Sequence, residues 1–278
     1  MSAAPHRGPA ERVAPHVVGM VQLRPLPGSA RYAGEPLRAV VQSAVEEAVL
    51  LGDAGFTGVQ VQNMGDMPSS RRAGPETVAF MSLACVEIKR ACPDLQLSVI
   101  VNWDVEASIA VAVACDADYV RAEHTWIGAT VNTWGISQAC CYEAMRFRAM
   151  IRSTMPIYAD VREPHGVPLV DGSVEDLARA SVHEAGAEGL FVTGSTLDES
   201  LEWIDRVRAV VPDVPIWLGG GATAADLPTI VPHVDGVVVA SSLKHGDRAN
   251  SLDPQLARDF MAAMSAAMSG TGTRWRAR

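Results

Sequence analysis

Eight short apolar runs, each followed by a longer segment with helical spacing, set the tightest limit on how this 278-residue chain can fold. The runs are His16–Leu23, Phe56–Asn63, Leu95–Asn102, Asp118–Glu123, Pro156–Val161, Glu188–Gly194, Val214–Leu218 and Asp235–Ala240. The helical segments run from Pro36 to Gly52, Pro75 to Cys92, Val105 to Cys115, Ser137 to Ile151, Val174 to Ala187 and Leu201 to Val211. A seventh opens at Thr223, and the last is Pro254 to Met268. Strict alternation of strand and helix points to an α/β protein with a parallel sheet. Continuous apolar strands such as Leu97-Ser98-Val99-Ile100-Val101 suit a sheet covered by helices. A doubly wound open sheet shares this local grammar, so the count of eight units carries the expectation of a (β/α)8 TIM barrel. The chain is expected to be a single domain over residues 16–270, with a flexible tail over 1–15 and a second tail over 271–278.

The last two strand-to-loop junctions stop abruptly in small residues. They are Trp217-Leu218-Gly219-Gly220-Gly221-Ala222-Thr223 and Val237-Val238-Val239-Ala240-Ser241-Ser242-Leu243-Lys244. In barrel enzymes these are the loops that commonly hold a phosphate. Glycine lacks a Cβ, so backbone N–H groups there can approach an anion closely, and a helix N-terminus favours negative charge. Gly219, Gly220, Gly221, Ser241, Ser242 and Lys244 are therefore candidate anion ligands. A tight turn with no ligand also favours glycine, and Lys244 could be a solvated loop charge.

The net charge of −9 argues against nonspecific nucleic-acid binding and against docking on anionic membranes. The apolar runs are far shorter than the roughly 20 residues that span a bilayer. The first fifteen residues lack the apolar segment of a secretory signal. Cys85, Cys92, Cys115, Cys140 and Cys141 form no C-x-x-C pair and lack zinc-ligand spacing. Reduced, partly buried thiols in a cytoplasmic protein account for them.

Chemistry in a barrel sits at the C-terminal ends of its strands. Polar residues that end apolar strands here are Gln22, Gln62, Asn63, Asn102, Arg121, Glu123, Asp160 and Thr193, with His165 in the loop after the fifth strand. Glu123 and Asp160 end neighbouring strands and could serve as general acid and base. The alternative is an ion pair with Arg121 or Arg162. Arg121 alternates with Glu123, so both share a face, and Arg121 could hold a carboxylate or phosphate by two prongs. Gln22, Gln62, Asn63, Asn102 and Thr193 are candidate substrate ligands, and His165 is a reserve proton carrier. His124 directly follows Glu123 and faces the other way. The loop from His124 to Ile136 carries Trp126 and Trp134, with Gly128 and Gly135 as hinges. It reads as a lid that excludes water or as a subunit contact in a homo-oligomer.

Several junctions together resemble the BtpA, or photosystem I biogenesis, family. The first is Val18-Gly19-Met20-Val21-Gln22-Leu23-Arg24-Pro25-Leu26-Pro27-Gly28-Ser29. The second is Asp53-Ala54-Gly55-Phe56-Thr57-Gly58-Val59 followed by Gln62-Asn63-Met64-Gly65-Asp66. Ala159-Asp160-Val161, His165, Val192-Thr193-Gly194 and Asp235-Gly236-Val237-Val238-Val239 continue the pattern, which covers Val17 to Phe260. The resemblance implies a (β/α)8 fold. The chain departs from the family pattern at three strand ends. It has Gln22 in place of a histidine, Gln62-Asn63 in place of Glu-Asn, and Arg121-Ala122-Glu123 in place of Arg-Val-Asn. One strand-end carboxylate is lost and another gained, which suggests a divergent substrate.

The expectation is an enzyme acting on a small phosphorylated metabolite, sugar-like or nucleoside-like, by acid–base chemistry of the isomerase, epimerase or lyase type. No cofactor and no dedicated metal site are expected, though strand-end carboxylates could bind a divalent ion. The rival is a non-enzymatic assembly factor, which the family's name suggests.

Overall fold

The computed structural model describes residues 11–276, apart from 124, 134, 163, 164, 249 and 272. Eight parallel strands close into a barrel in chain order. They are β1 His16–Gln22, β2 Gly58–Gln62, β3 Gln96–Ile100, β4 Tyr119–Ala122, β5 Ile157–Asp160, β6 Gly189–Val192, β7 Ile216–Leu218 and β8 Gly236–Val239. The register Val238↔Val18 joins β8 to β1 and closes the ring. The fold is the (β/α)8 barrel that the alternation predicts. The helices that follow the strands are α1 Leu37–Asp53, α2 Pro75–Ala91, α3 Val105–Ala114, α4 Cys141–Met150, α5 Val174–Arg179, α6 Leu197–Val210, α7 Leu227–Ile230 and α8 Pro254–Gly270.

Two apolar layers follow from the period-two alternation of strand side chains. Outward residues such as Val59, Val61, Leu97, Val99, Val120 and Leu190 pack against the helices. Inward residues fill the barrel: Val18, Met20, Ile100, Tyr119, Phe191, Trp217 and Val238. The Trp217 ring is the hub, edge-on to Tyr119 and to Phe191, each at 5.6 Å between centroids. The neighbouring strand makes room for it at Gly236, where any Cβ would overlap the indole. The inside of the barrel is therefore filled by an aromatic plug, with the C-terminal strand ends above it.

Local signals set several helix starts. Asp104, Ser173, Thr196 and Asp253 each accept a backbone N–H from the first turn of the helix they precede. Thr223 and Asp226 form the reciprocal capping box that their spacing predicts. Thr196 starts α6 four residues before the expected Leu201, because its side chain accepts from the Glu199 N–H.

Two parts of the chain differ from the sequence reading. Residues 137–140, expected to open a helix, lie outside it: Ser137 and Gln138 complete a hairpin, and the helix starts at Cys141. Ala129–Asn132 pairs antiparallel with Gly135–Gln138, and Val167–Pro168 adds a third short strand. The β-branched Thr130, Val131 and Ile136, with a left-handed Gly135 at φ 105°, favour strand and turn over helix there. At the other end of the barrel, segments expected as tails pair with one another. Glu11–Val13 and Arg274–Arg276 form a parallel ladder. Trp275 holds it in place. Its indole N–H donates to the Met268 carbonyl at 2.8 Å, and the Arg12 guanidinium lies over its ring at 5.5 Å.

Candidate functional site

The mouth of the barrel holds a polar cavity of about 200 Å3. β4 supplies its charged wall. Tyr119 points inward into the aromatic plug, Arg121 stands one layer above it, and Glu123 follows at the rim. The Arg121 guanidinium lies 4.3 Å from the centroid of the Phe191 ring. Its Nε and Nη2 donate to the two Asp160 oxygens at 3.2 and 2.9 Å, and its Nη1 donates to the Gly219 carbonyl at 3.1 Å. Burial works against the charge on Arg121. The Asp160 and Glu123 carboxylates outweigh it and hold the guanidinium pKa above its ordinary value.

Glu123 lines the cavity and is half-buried. Its Oε2 accepts from Gln62 Nε2 at 2.7 Å, and the same Gln62 nitrogen donates to Asn102 Oδ1 at 2.8 Å. An amide donor from below leaves the other carboxylate oxygen directed by the same fixed plane. Gln22, Gln62, Arg121, His165 and Thr193 line the cavity beside Glu123. Gln22 Oε1 and Thr193 Oγ1 are buried there without a hydrogen-bond partner among the described residues. Buried polar atoms are normally satisfied, so two orphans lining one cavity mark a place where a ligand completes the bonding.

Across from Glu123 the wall is the backbone of the last two junctions, which lie between Thr193 and Gln22 in the strand order. Gly219 is squeezed: a Cβ there would stand 2.5 Å from Thr193 Oγ1 and 2.9 Å from Arg121 Nη2. Gly220 and Gly221 face open space, Gly221 with a left-handed φ of 80°. Among the hydrogen bonds of the described residues, none is donated by the N–H groups of Gly220, Gly221, Ser241 or Ser242. Ser242 Oγ donates to the Ala222 carbonyl at 2.9 Å and ties the two junctions into one concave strip. Arg248, exposed in the loop after the eighth strand, also lines the cavity. Sequence reasoning missed it, since a lone arginine beyond a strand end carries no periodic or motif signal.

The structure gathers Gln22, Gln62, Arg121, Glu123, His165, Thr193, Gly219, Gly220, Gly221, Ser241 and Ser242 around one cavity. It places the other predicted residues elsewhere. Asp160 lies behind Arg121, with 1% side-chain exposure, and borders a separate cavity of about 250 Å3. The ion-pair alternative describes its contacts, so it positions Arg121. Asn63 and Asn102 are buried under the rim. Asn63 Oδ1 accepts the Asn102 N–H at 2.8 Å, and its amide donates to Asp66 Oδ2 at 2.9 Å. Asp66 Oδ1 accepts the Leu26 N–H at 2.8 Å, and burial pushes the Asp66 carboxyl up from its ordinary range. These groups fix the first two loops and do not face the cavity.

Lys244 is also displaced from its expected role. Its ammonium is buried, 3.3 Å from Glu47 Oε2 on α1, and it borders a larger neighbouring cavity. The short helical turn Ser241–Leu243 carries residue 244 past the mouth and round to α1. Trp126 is no lid. It is 1% exposed, and its indole N–H points at the Ser181 carbonyl at 3.4 Å. His124, Trp134 and Pro164 lie outside the described residues. Among the described residues no group of three or more His, Cys, Asp or Glu could hold a metal ion, and no helix is long and apolar enough to cross a membrane.

Solved structures with this shape include one titled native KDPGal (TM-score 0.57, 15% identity, 91% of this chain and 96% of that one). A phosphoribosylanthranilate isomerase from Thermotoga maritima is another (TM-score 0.52, 14% identity, 91% and 99%). These likenesses concern the fold. In sequence, the chain is 30% identical to the uncharacterized protein PH1209 of Pyrococcus horikoshii over 235 residues, 84% of this chain and 88% of the relative. It is 29% identical to the photosystem I biogenesis protein BtpA of Synechocystis over 254 residues, 90% of this chain and 88% of that protein. The BtpA family model matches residues 14–266, a span that takes in all eight barrel strands, and the chain is accordingly a member of the BtpA family.

Proposed function

We propose that the protein is an enzyme that binds a small phosphorylated metabolite in the mouth cavity and moves a proton with Glu123. The carrying observation is the pairing of two unlike walls across about 200 Å3. One wall is a strip of backbone N–H groups at Gly220, Gly221, Ser241 and Ser242. The other is the half-buried carboxylate of Glu123, and orphaned polar atoms at Gln22 and Thr193 stand at either end of the strip. An anion suits the first wall. A hydroxyl or carbonyl on the same molecule then reaches the second.

Arg121 gives three of its five N–H donors to Asp160 and Gly219, so it anchors the glycine strip and supplies fixed positive charge beneath the reacting carbons. Glu123 removes or returns a proton, oriented by Gln62. His165 stands on the same wall as a second proton carrier. One carboxylate, one imidazole and a buried cation suit isomerisation, epimerisation or lyase cleavage of a sugar-like or nucleoside-like phosphate. A second reading is a partner-docking assembly factor. The Synechocystis relative's name and the exposed apolar residues Val131, Ile136, Val167 and Leu169 beside the hairpin favour it.

A thermal-shift screen of phosphorylated metabolites separates the two. The enzyme reading expects inorganic phosphate and a subset of sugar phosphates to raise the melting temperature. It also expects Glu123→Gln to keep that shift while abolishing turnover of the best ligand. No shift with any phosphate sinks it.

A further inference from the structure

A second cavity, of about 600 Å3, adjoins the mouth and shares Gln22 and Arg248 with it. Both shared residues stand on the border, so one molecule in the mouth can extend past them. The second cavity is unusual for its charge. Arg24, Arg31, Lys244 and Arg248 line it against Glu47 and Asp247. Even with Glu35 paired to Arg24 just outside the lining, cations outnumber carboxylates four to three, a local positive excess in a chain whose net charge is −9. Such an excess concentrates anions and disfavours cations.

Not all of that charge is spoken for. Lys244 is paired with Glu47, and Arg24 with Glu35 at 2.6 Å. Among the described residues neither Arg31 nor Arg248 makes an ion pair or a guanidinium hydrogen bond, and both face the same space. Apolar surface from Leu23, Pro25, Val40 and Met67 covers the rest of the wall. A cavity of this kind takes the carbon body of a metabolite with an acid group at its end.

We infer that the substrate carries two anionic groups. Its phosphate sits on the glycine strip of the mouth, and a second phosphate or carboxylate sits among Arg31, Arg248 and the Arg24 edge of the larger cavity. The inference rests on the phosphate reading of the mouth and extends it to the other end of the molecule. Arg248, on the border, reaches either group and sets the length of chain between them. The second anion is bound by exposed guanidiniums away from Glu123, so it selects the substrate. The proton chemistry stays with Glu123.

Titration calorimetry on the full chain tests this with fructose 6-phosphate, fructose 1,6-bisphosphate, 6-phosphogluconate and inorganic phosphate. The doubly anionic probes should bind about tenfold or more tightly than fructose 6-phosphate, the gain of one charge-assisted contact. Whichever of the two gains more identifies the second group as phosphate or carboxylate. Arg31→Ala, on an exposed residue, should shrink that ratio several-fold, and Arg31→Ala combined with Arg248→Ala should shrink it further. If fructose 6-phosphate binds and the second anion adds nothing, the second subsite is refuted while the phosphate reading stands. A ratio that survives both arginine variants refutes the assignment to this cavity. If no phosphate binds, inorganic included, the phosphate reading falls and takes this inference with it.

Discussion

Arg121 and Asp160 form a two-pronged ion pair, at 2.9 and 3.2 Å, sealed between the aromatic plug and the mouth of the barrel. Their side chains are 4% and 1% exposed. The pair comes from adjacent strands, and the free arm of Arg121 reaches Gly219 on the far side of the ring. Three strand ends are thus locked by one side chain.

Breaking this pair should cost far more than a surface salt bridge. Asp160→Asn leaves a buried guanidinium short of its counter-charge, and Arg121→Met leaves a buried carboxylate. Each is expected to destabilise the fold by about 3–5 kcal/mol. Arg121→Lys should fail to restore stability, because an ammonium cannot make the planar two-pronged contact. Urea unfolding of the three variants measures this. Losses under 1 kcal/mol would show that the pair is dispensable.

Glu123→Gln should separate chemistry from stability. A glutamine keeps an acceptor for Gln62 at the same place, so the melting temperature should move little. Turnover should fall by about 100-fold or more, the usual contribution of a proton-transfer group. Phosphate affinity should persist, since the anion sits on the opposite wall.

Gly219 and Gly221 should respond for different reasons. Gly219→Ala drives a methyl into Thr193 Oγ1 and Arg121, and overpacking of this kind costs about 1–3 kcal/mol. Thr193→Ala in the same chain should recover part of the loss, as contacting sites couple. Gly221→Ala meets open space yet sits at a left-handed φ, and should cost about 1–2 kcal/mol from backbone strain alone. Double-mutant cycles should find strong coupling for the first with Thr193 and none for the second.

Asp66 gives the protein a pH signature. Burial raises its carboxyl above the ordinary 3.8, against the lowering effect of the bonds from Leu26 and Asn63. The folded chain therefore holds this proton more tightly than the unfolded chain. Stability from this group is full below the ordinary value and is lost as pH rises through the raised one. Glu47 titrates with the same sign, since burial outweighs its pairing with Lys244. Urea midpoints of Asp66→Asn should fall less steeply than those of the parent across that window. Parallel curves would contradict the assignment.

Much of the barrel is legible in the residues themselves. The eight apolar runs locate every barrel strand, and the period-two step from Tyr119 to Arg121 to Glu123 puts two charges on the inner face. The glycine and serine junctions that line the cavity stand out in the sequence without reference to any neighbour. Residues 137–140 mislead because short segments with β-branched neighbours fit a hairpin and a helix start equally well by local pattern. The paired termini, Glu11–Val13 with Arg274–Arg276, have almost no local strand signal, and each strand exists only because the other lies beside it.

What the chain's own order determined is which side of each strand a residue takes, since backbone geometry alternates side chains with no help from elsewhere. What tertiary structure alone decided is the company each residue keeps. Asp160 became a brace for Arg121, Lys244 turned away to Glu47, and Asn63 with Asn102 sank beneath the rim. Those outcomes depend on ring closure, which brings Arg121 to the carbonyl of a residue 98 positions away. No local pattern encodes that distance, because burial and pairing energies exist only once the ring has closed.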